Sequence, residues 1–148
     1  MDVFRIMGGN RLSGTVRLSG AKNAVLPILA AALLTGEPVV LKNCPRLKDV
    51  SNMLAILQTL GCTYRQKDGE IAIDASCAQG WEMPGELSKQ LRSSIFMMGS
   101  ILGRFRRATV TYPGGCEIGL RPIDLHLSGL RALGVKITEA HGMIYCDG

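Results

Sequence analysis

The chain contains a segment that recurs within itself. Residues 57–74, LQTLGCTYRQKDGEIAID, align without a gap on residues 130–147, LRALGVKITEAHGMIYCD, at an offset of 73 (130 − 57). Leu57, Leu60, Gly61, Gly69, Ile71 and Asp74 return as Leu130, Leu133, Gly134, Gly142, Ile144 and Asp147. Upstream, EPVVLKNC is echoed by RATVTYPGG, and AVLPILAAALL by SSIFMMGSILG. Any two amphipathic helix–hairpin segments resemble each other somewhat, but six identities in 18 gap-free positions exceed what patterning supplies. A period this long means tandem supersecondary units sharing one core.

Local patterns define the unit. KNAVLPILAAALLTG (22–36) reads as a buried helix closed by a glycine, PVVLKNC (38–44) as a strand, and LKDVSNMLAILQTLG (47–61) as an amphipathic helix. TYRQ and EIAID then read as two strands across the turn KDGE. GTVRLSG (14–20) also alternates like a strand. The expectation is an α/β (α+β) chain with two units, about 21–75 and 89–148, behind an amino-terminal strand segment at 1–20. The copies differ in one place. Between first strand and second helix, KNCPRLKD is replaced by the longer, glycine-rich YPGGCEIGLRPID. An elaborated loop on a retained scaffold is where function resides.

Composition narrows the classes. Hydrophobic residues make up 47% and charged residues 20%, which describes a folded globular chain. The net charge of +5 suits an anionic partner, but its densest cluster, GRFRR at 103–107, is too short for a nucleic-acid arm and lacks stacking aromatics. Five cysteines, none spaced C-x-x-C and none beside a histidine, argue against a metal site. MDVFRIMGG has neither the basic start nor the apolar run of a secretory leader. The longest apolar stretch has eleven residues against the roughly 20 of a membrane span. A soluble, reduced, cytoplasmic protein is expected.

Four groups carry candidate chemistry. In SGAKNAVLP, Lys22 and Asn23 open the first helix, where free amides favour an anion; the alternative is a solvated lysine in a capping segment. The spacing is not that of a P-loop. Arg92 opens the helix LRSSIFMMGSILGRF, either as a surface cap or as a phosphate fork. Arg121 stands at a helix entrance, with Pro122 as a first helical residue and Asp124 in the first turn; its fork suits a phosphate. Cys116, in PGGCEIG, lies in a tightly turning loop near Arg121, which would lower its thiol pKa. Such a thiol serves as nucleophile or proton donor, although lone cysteines are usually inert. Cys44, Cys62, Cys77 and Cys146 read as small core hydrophobes, and His126 and His141 as structural.

Taken together, LSGAKNAVLPILAAALLTGEPVVLKNCPRLKDV, QLRSSIFMMGSILGRF and PGGCEIGLRPIDLHLSGLRALG resemble the amino-terminal part of the UDP-N-acetylglucosamine 1-carboxyvinyltransferase family. These are enolpyruvyl transferases related to the EPSP synthases. The resemblance implies transfer of the enolpyruvyl group of phosphoenolpyruvate to the 3′-hydroxyl of UDP-N-acetylglucosamine, with release of phosphate, in the first committed step of peptidoglycan synthesis. It implies that Cys116 protonates the methylene carbon of phosphoenolpyruvate and is the target of fosfomycin. Lys22, Asn23 and Arg121 would bind phosphoenolpyruvate. Asn23, Arg92 and the run Arg121, Pro122, Ile123, Asp124 and Leu125 would bind the UDP-sugar. No metal or other cofactor, no nucleic acid and no membrane is implied. The implied fold is an inside-out α/β domain of βαβαββ units, of which this chain holds two.

Length is the departure from the pattern, because family members are nearly three times as long. A third unit, a second domain and the aspartate taken to deprotonate the sugar hydroxyl are missing. Residues 1–20 pack with the other domain in the family. The chain alone is therefore expected to have negligible transferase activity and to self-associate through the face of the missing unit. The alternatives are a noncatalytic binding or assembly module and a sister enolpyruvyl transferase of the EPSP synthase type.

Overall fold

In the computed structural model, residues 3–114 and 122–148 are described. The first unit comprises α1 (Lys22–Ala31), extended by a 3-10 turn (Ala32–Leu34), then β1 (Val39–Leu41), α2 (Lys48–Thr59), β2 (Thr63–Lys67) and β3 (Glu70–Asp74). A short helix α3 (Gly85–Lys89) and a 3-10 turn (Arg92–Ser94) lead to the second unit. It comprises α4 (Ile95–Phe105), β4 (Arg107–Thr111), α5 (Asp124–Ala132), β5 (Lys136–Ala140) and β6 (Met143–Asp147). Each unit holds a three-stranded antiparallel sheet with the last strand central, β1-β3-β2 and β4-β6-β5.

The recurring glycines are backbone requirements. Gly61 and Gly134 follow α2 and α5 with φ of 96° and 94°, a region closed to most side chains. Gly61 N–H donates to Gln58 and Cys62 N–H to Leu57; Gly134 N–H donates to Arg131 and Val135 N–H to Leu130. These paired bonds satisfy the last helical carbonyls in the Schellman pattern. Asp68–Gly69 and His141–Gly142 all have positive φ, so both hairpins turn through a type I′ pair whose twist matches the strands.

Register locates the change between the copies. Val39 pairs with Ile73 as Ala108 pairs with Cys146. The first strands are thus offset by 69 (108 − 39) and their central partners by 73 (146 − 73). The difference is taken up between first strand and second helix, where the second unit has its longer connection.

The core is continuous across the units. Leu26, Leu29 and Leu33 of α1 and its extension meet Met97 and Ile101 of α4, above Ile71, Val110 and Ile144 of the sheets, all fully or almost fully buried. Helices apolar on nearly every side, such as α1 and α4, are stable only when packed against several neighbours. One cation crosses the seam between the units. The Arg104 guanidinium on α4 donates from Nη1 to the Leu33 carbonyl at 3.2 Å and from Nη2 to the Ala75 carbonyl at 2.8 Å. It thereby satisfies one carbonyl at the end of the first helix and one just after β3.

Several sequence expectations are corrected. Residues 14–20 form no strand and are almost wholly exposed; their nearest tie is Gly20 N–H to Asn43 C=O at 3.0 Å. Alternation alone does not make a strand where the first sheet ends at β1. The first helix stops its α-helical bonding at Ala31, not at Gly36. Cys77 is exposed, because the link after β3 turns Ala75 and Ala78 inward instead. That link also extends the second sheet, a feature the periodicity did not reveal. Thr109 N–H donates to Trp81 C=O and Met83 N–H to Thr109 C=O, each at 2.9 Å. The Arg107 guanidinium lies 3.3 Å from the Trp81 ring centre, a cation–π contact that covers the β4 edge.

Candidate active site

Two helix entrances meet at one end of the first unit. Lys22 is the first residue of α1, and its cap is Ala21, which offers no side-chain acceptor to the free amides. Those amides and the positive helix end favour an anion. Lys22 Nζ lies 2.8 Å from Oδ2 of Asp49, in the first turn of α2, and both side chains are partly exposed. The ion pair fixes the amine between the two entrances while leaving it open to solvent. Asn23 is exposed beside it. Pro27 has no N–H, so it cannot supply the bond that the Asn23 carbonyl would otherwise accept from residue 27.

Beyond Asp49, the entrance of α2 opens onto a polar depression of about 520 Å³ lined by Arg46, Lys48, Ser51, Gln66, Lys67 and Asp68. Three cations against one carboxylate give this face a net positive charge beside the neutral Lys22–Asp49 pair.

The turn that Arg92 opens and the stem of the glycine loop converge on one carbonyl. Arg92 begins the 3-10 turn before α4 and is half-buried. Ser94, in the same turn, donates its hydroxyl to the Ser88 carbonyl at 3.2 Å, and Gly114 N–H donates to that carbonyl at 3.3 Å. Ser88 and Ser94 are both fully buried. Gly114 is required there for room, since a Cβ would stand 1.8 Å from the Lys89 carbonyl oxygen. Cys116 and Arg121, the two residues on which the loop reading turns, lie outside the described residues. On the far side of the loop, Pro122 is exposed, Ile123 is buried, and Asp124 begins α5. Leu125 presents 82% of its surface, an apolar side chain placed for contact.

The remaining thiols divide by environment. Burial pushes Cys62 up from 9.0 to about 11, against a smaller lowering by Arg104. Burial likewise raises Cys44 and Cys146. These three are packing residues, as their apolar surroundings dictate. Among the described residues, no group of three or more His, Cys, Asp and Glu side chains is arranged to hold a metal ion. No described helix is long and apolar enough to cross a membrane.

The structure therefore draws Lys22 and Asn23 together at one entrance, and ties the Arg92 turn to the loop stem at another. Asp49 was missed from sequence. It stands 27 residues from Lys22, and an acid in a first helical turn is ordinarily a partner of the helix dipole.

Comparison with known proteins places this geometry. The model of EPSP synthase (3-phosphoshikimate 1-carboxyvinyltransferase) matches residues 6–147. UDP-N-acetylglucosamine 1-carboxyvinyltransferase 2 of Caldanaerobacter subterraneus subsp. tengcongensis is 49% identical over the whole chain, which covers 36% of that protein. The UDP-N-acetylglucosamine 1-carboxyvinyltransferase of Histophilus somni is also 49% identical, with 100% of this chain and 36% of that protein covered. The Yersinia pestis enzyme of the same name is 46% identical over 97% of this chain and 34% of its own length. The crystal structure of the enolpyruvyl transferase NikO from Streptomyces tendae superposes with a TM-score of 0.81 at 26% identity, covering 95% of this chain and 31% of that one. The chain thus spans about a third of the length of the curated relatives it matches. With its paired αβαββ units and cationic helix entrances, the chain belongs to the EPSP synthase family of carboxyvinyl (enolpyruvyl) transferases.

Proposed function

We propose that this chain is the amino-terminal portion of an enzyme that transfers the enolpyruvyl group of phosphoenolpyruvate to the 3′-hydroxyl of UDP-N-acetylglucosamine. The observation that carries the reading is 49% identity along the entire chain to enzymes named for that acceptor. Residues 21–148 then form two units of one domain, and residues 1–20 serve another. The reaction belongs in the cytoplasm, at the first committed step of peptidoglycan synthesis.

In this reading Lys22, Asn23 and Arg121 bind phosphoenolpyruvate. Arg92, Asn23 and the run Arg121, Pro122, Ile123, Asp124 and Leu125 hold the UDP-sugar. Cys116 gives its thiol proton to the methylene carbon of phosphoenolpyruvate, which makes the neighbouring carbon electrophilic. The sugar oxygen adds to that carbon and its own proton passes to a base. Loss of phosphate, with loss of a proton from the new methyl group, restores the double bond. Positive charge for the phosphate comes from arginine and lysine, held in place before the reaction begins.

Because the chain spans a third of its relatives, binding without turnover is the reading for the chain by itself. The exposed side chains of Phe96 on α4, Leu125 on α5 and Leu133 just after it favour self-association. Titration calorimetry with UDP-N-acetylglucosamine against shikimate 3-phosphate tests the acceptor. Binding of the first alone is expected, and binding of shikimate 3-phosphate alone overturns the assignment. Release of phosphate from both substrates together is expected to be negligible, and robust turnover refutes the binding-only reading.

A further inference from the structure

The two sheets differ at the outer edge of their first strand. In the second unit that edge is closed. Thr109 N–H donates to the Trp81 carbonyl, Met83 N–H donates to the Thr109 carbonyl, and Glu82 between them makes a parallel bridge to Thr109. The far strand is tied as well. Glu139 on β5 accepts from the Tyr112 hydroxyl and, at 2.9 Å, from Nη2 of Arg131, and these two donors hold its carboxyl below the usual range.

In the first unit the same edge is open. Register equates Val40 with Thr109, because Val40 stands opposite Ala72 as Thr109 stands opposite Tyr145. The phase that aims the Thr109 N–H and C=O at residues 81–83 therefore turns those of Val40 away from β3. Among the described residues, no backbone bond reaches Val40 from outside its sheet. Its side chain is 56% exposed. An unpaired edge is a template for a further strand, and the second unit shows the direction that this edge accepts.

The chain also carries a strand-like segment that has no sheet. Residues 14–20, GTVRLSG, lead directly into α1, and Val16 and Leu18 expose 83% and 82% of their surface. Upstream, Val3, Phe4, Ile6, Met7 and Leu12 are equally uncovered, an apolar arm in need of a partner. The structure directs this arm away from its own β1, since residues 14–19 are all exposed and none is in a strand. Val16 and Leu18 stand two apart, the spacing of Val39 and Leu41, which face the core. With Arg17 placed opposite Val40, as Glu82 is opposite Thr109, Val16 C=O meets Val40 N–H and Leu18 N–H meets Val40 C=O. The same register extends the apolar rows of Val39 and Leu41 and turns Thr15, Arg17 and Ser19 to the outer face.

We propose that a second copy of this chain covers the β1 edge with its residues 14–20, laid down as a parallel strand, in a reciprocal exchange. Each copy offers one arm and one edge, so two arms fill two edges and the assembly closes at a two-fold dimer.

The test is sedimentation velocity of the full 148-residue chain over a dilution series, joined to amide hydrogen exchange at Val40. The expected result is a reversible dimer in which the Val40 amide is protected, with protection lost on dilution. Val40→Pro removes the outward donor of β1 and spares the bonds within its own sheet. Leu18→Pro removes the arm's donor, and it lies in an exposed segment, so both units fold regardless. Each change should weaken dimerisation at least about ten-fold. A dimer that withstands either variant overturns the proposal, and one that withstands both associates through the α4 and α5 face instead. A monomer at every concentration also overturns it, and Val40 protection in that monomer assigns the edge to the chain's own arm.

Discussion

Arg104→Met tests whether the two units are held by their shared apolar core alone. The guanidinium makes two charged hydrogen bonds, to the Leu33 and Ala75 carbonyls, and both cross the seam. A hydrogen bond to a charged group contributes about 1.5–3 kcal/mol, but Arg104 is only partly buried, so water recovers part of the loss. Methionine keeps most of the aliphatic packing and removes the donors, which leaves both carbonyls to find water at the seam. The net expectation is destabilisation of about 2–4 kcal/mol. For a chain of this size each kcal/mol shifts the midpoint by about 2–4 °C, so Tm should fall by about 5–15 °C. Urea unfolding followed by circular dichroism measures the same quantity independently through the midpoint concentration. Arg104→Lys should recover less than half of the loss, since a single ammonium lacks the fork that spans two acceptors. A midpoint within about 0.5 kcal/mol of wild type would refute the reasoning and make the contact incidental to stability.

Other outcomes follow from the same structure. Gly134→Ala, with open space around its Cβ, should cost about 1–2 kcal/mol from positive φ alone. Gly61→Ala should cost more, because its Cβ also meets the Cys77 carbonyl oxygen at 3.1 Å and the Ala78 Cα at 3.2 Å; equal midpoints in denaturant would contradict this. Asp49→Asn should change stability by no more than about 1 kcal/mol, since the pair is partly exposed, yet, on the proposed reading of Lys22, strengthen phosphoenolpyruvate binding measured by calorimetry, because the ammonium is no longer compensated. Unchanged binding would remove Asp49 from the site. The folded-state pKa of Cys62 lies above its unfolded value, so its contribution is intact below pH 9 and declines as pH rises toward about 11. Cys62→Ala should flatten that alkaline limb of a stability profile. The depressed Glu139 carboxyl acts in the opposite direction, stabilising above the ordinary glutamate range and losing that effect as acid protonates it. Glu139→Gln should accordingly flatten the acid limb.

The features legible in sequence were those that backbone geometry imposes locally. Gly61, Gly69, Gly134 and Gly142 recur because helix caps and I′ turns demand positive φ, and the 73-residue period makes them visible in the sequence. Ile71 and Ile144 recur because each lies in the buried row of a central strand. Contacts between distant segments left no such trace. The Lys22–Asp49 pair spans 27 residues and Arg104–Leu33 spans 71, so no local window contains both partners. Alternation at 14–20 measured amphipathicity and said nothing of a neighbour to bond with. Helix α3 escaped because five residues behind Pro84 are too few to show a helical period. Cys77 was misplaced because a cysteine's burial depends on which side of a turn it occupies. For the site, Lys22, Asn23 and Arg92 lie at helix or turn starts as their flanking residues indicated, whereas the Ser88 carbonyl that gathers the Arg92 turn and Gly114 is a main-chain atom with no sequence signature.

The unequal connections of the two units bear on how a repeated fold acquires new work. Residues 42–47 join β1 to α2, and residues 112–123 join β4 to α5; register makes the second path longer by four residues (73 − 69), the rest of the difference lying in where the flanking elements end and begin. For an unconstrained loop, doubling the length costs only about 0.6 kcal/mol in closure entropy. The longer connection of the second unit therefore carries almost no thermodynamic penalty relative to the short one of the first. Transplanting residues 112–123 in place of 42–47 should therefore yield a folded chain whose urea midpoint stays within about 1 kcal/mol of the parent.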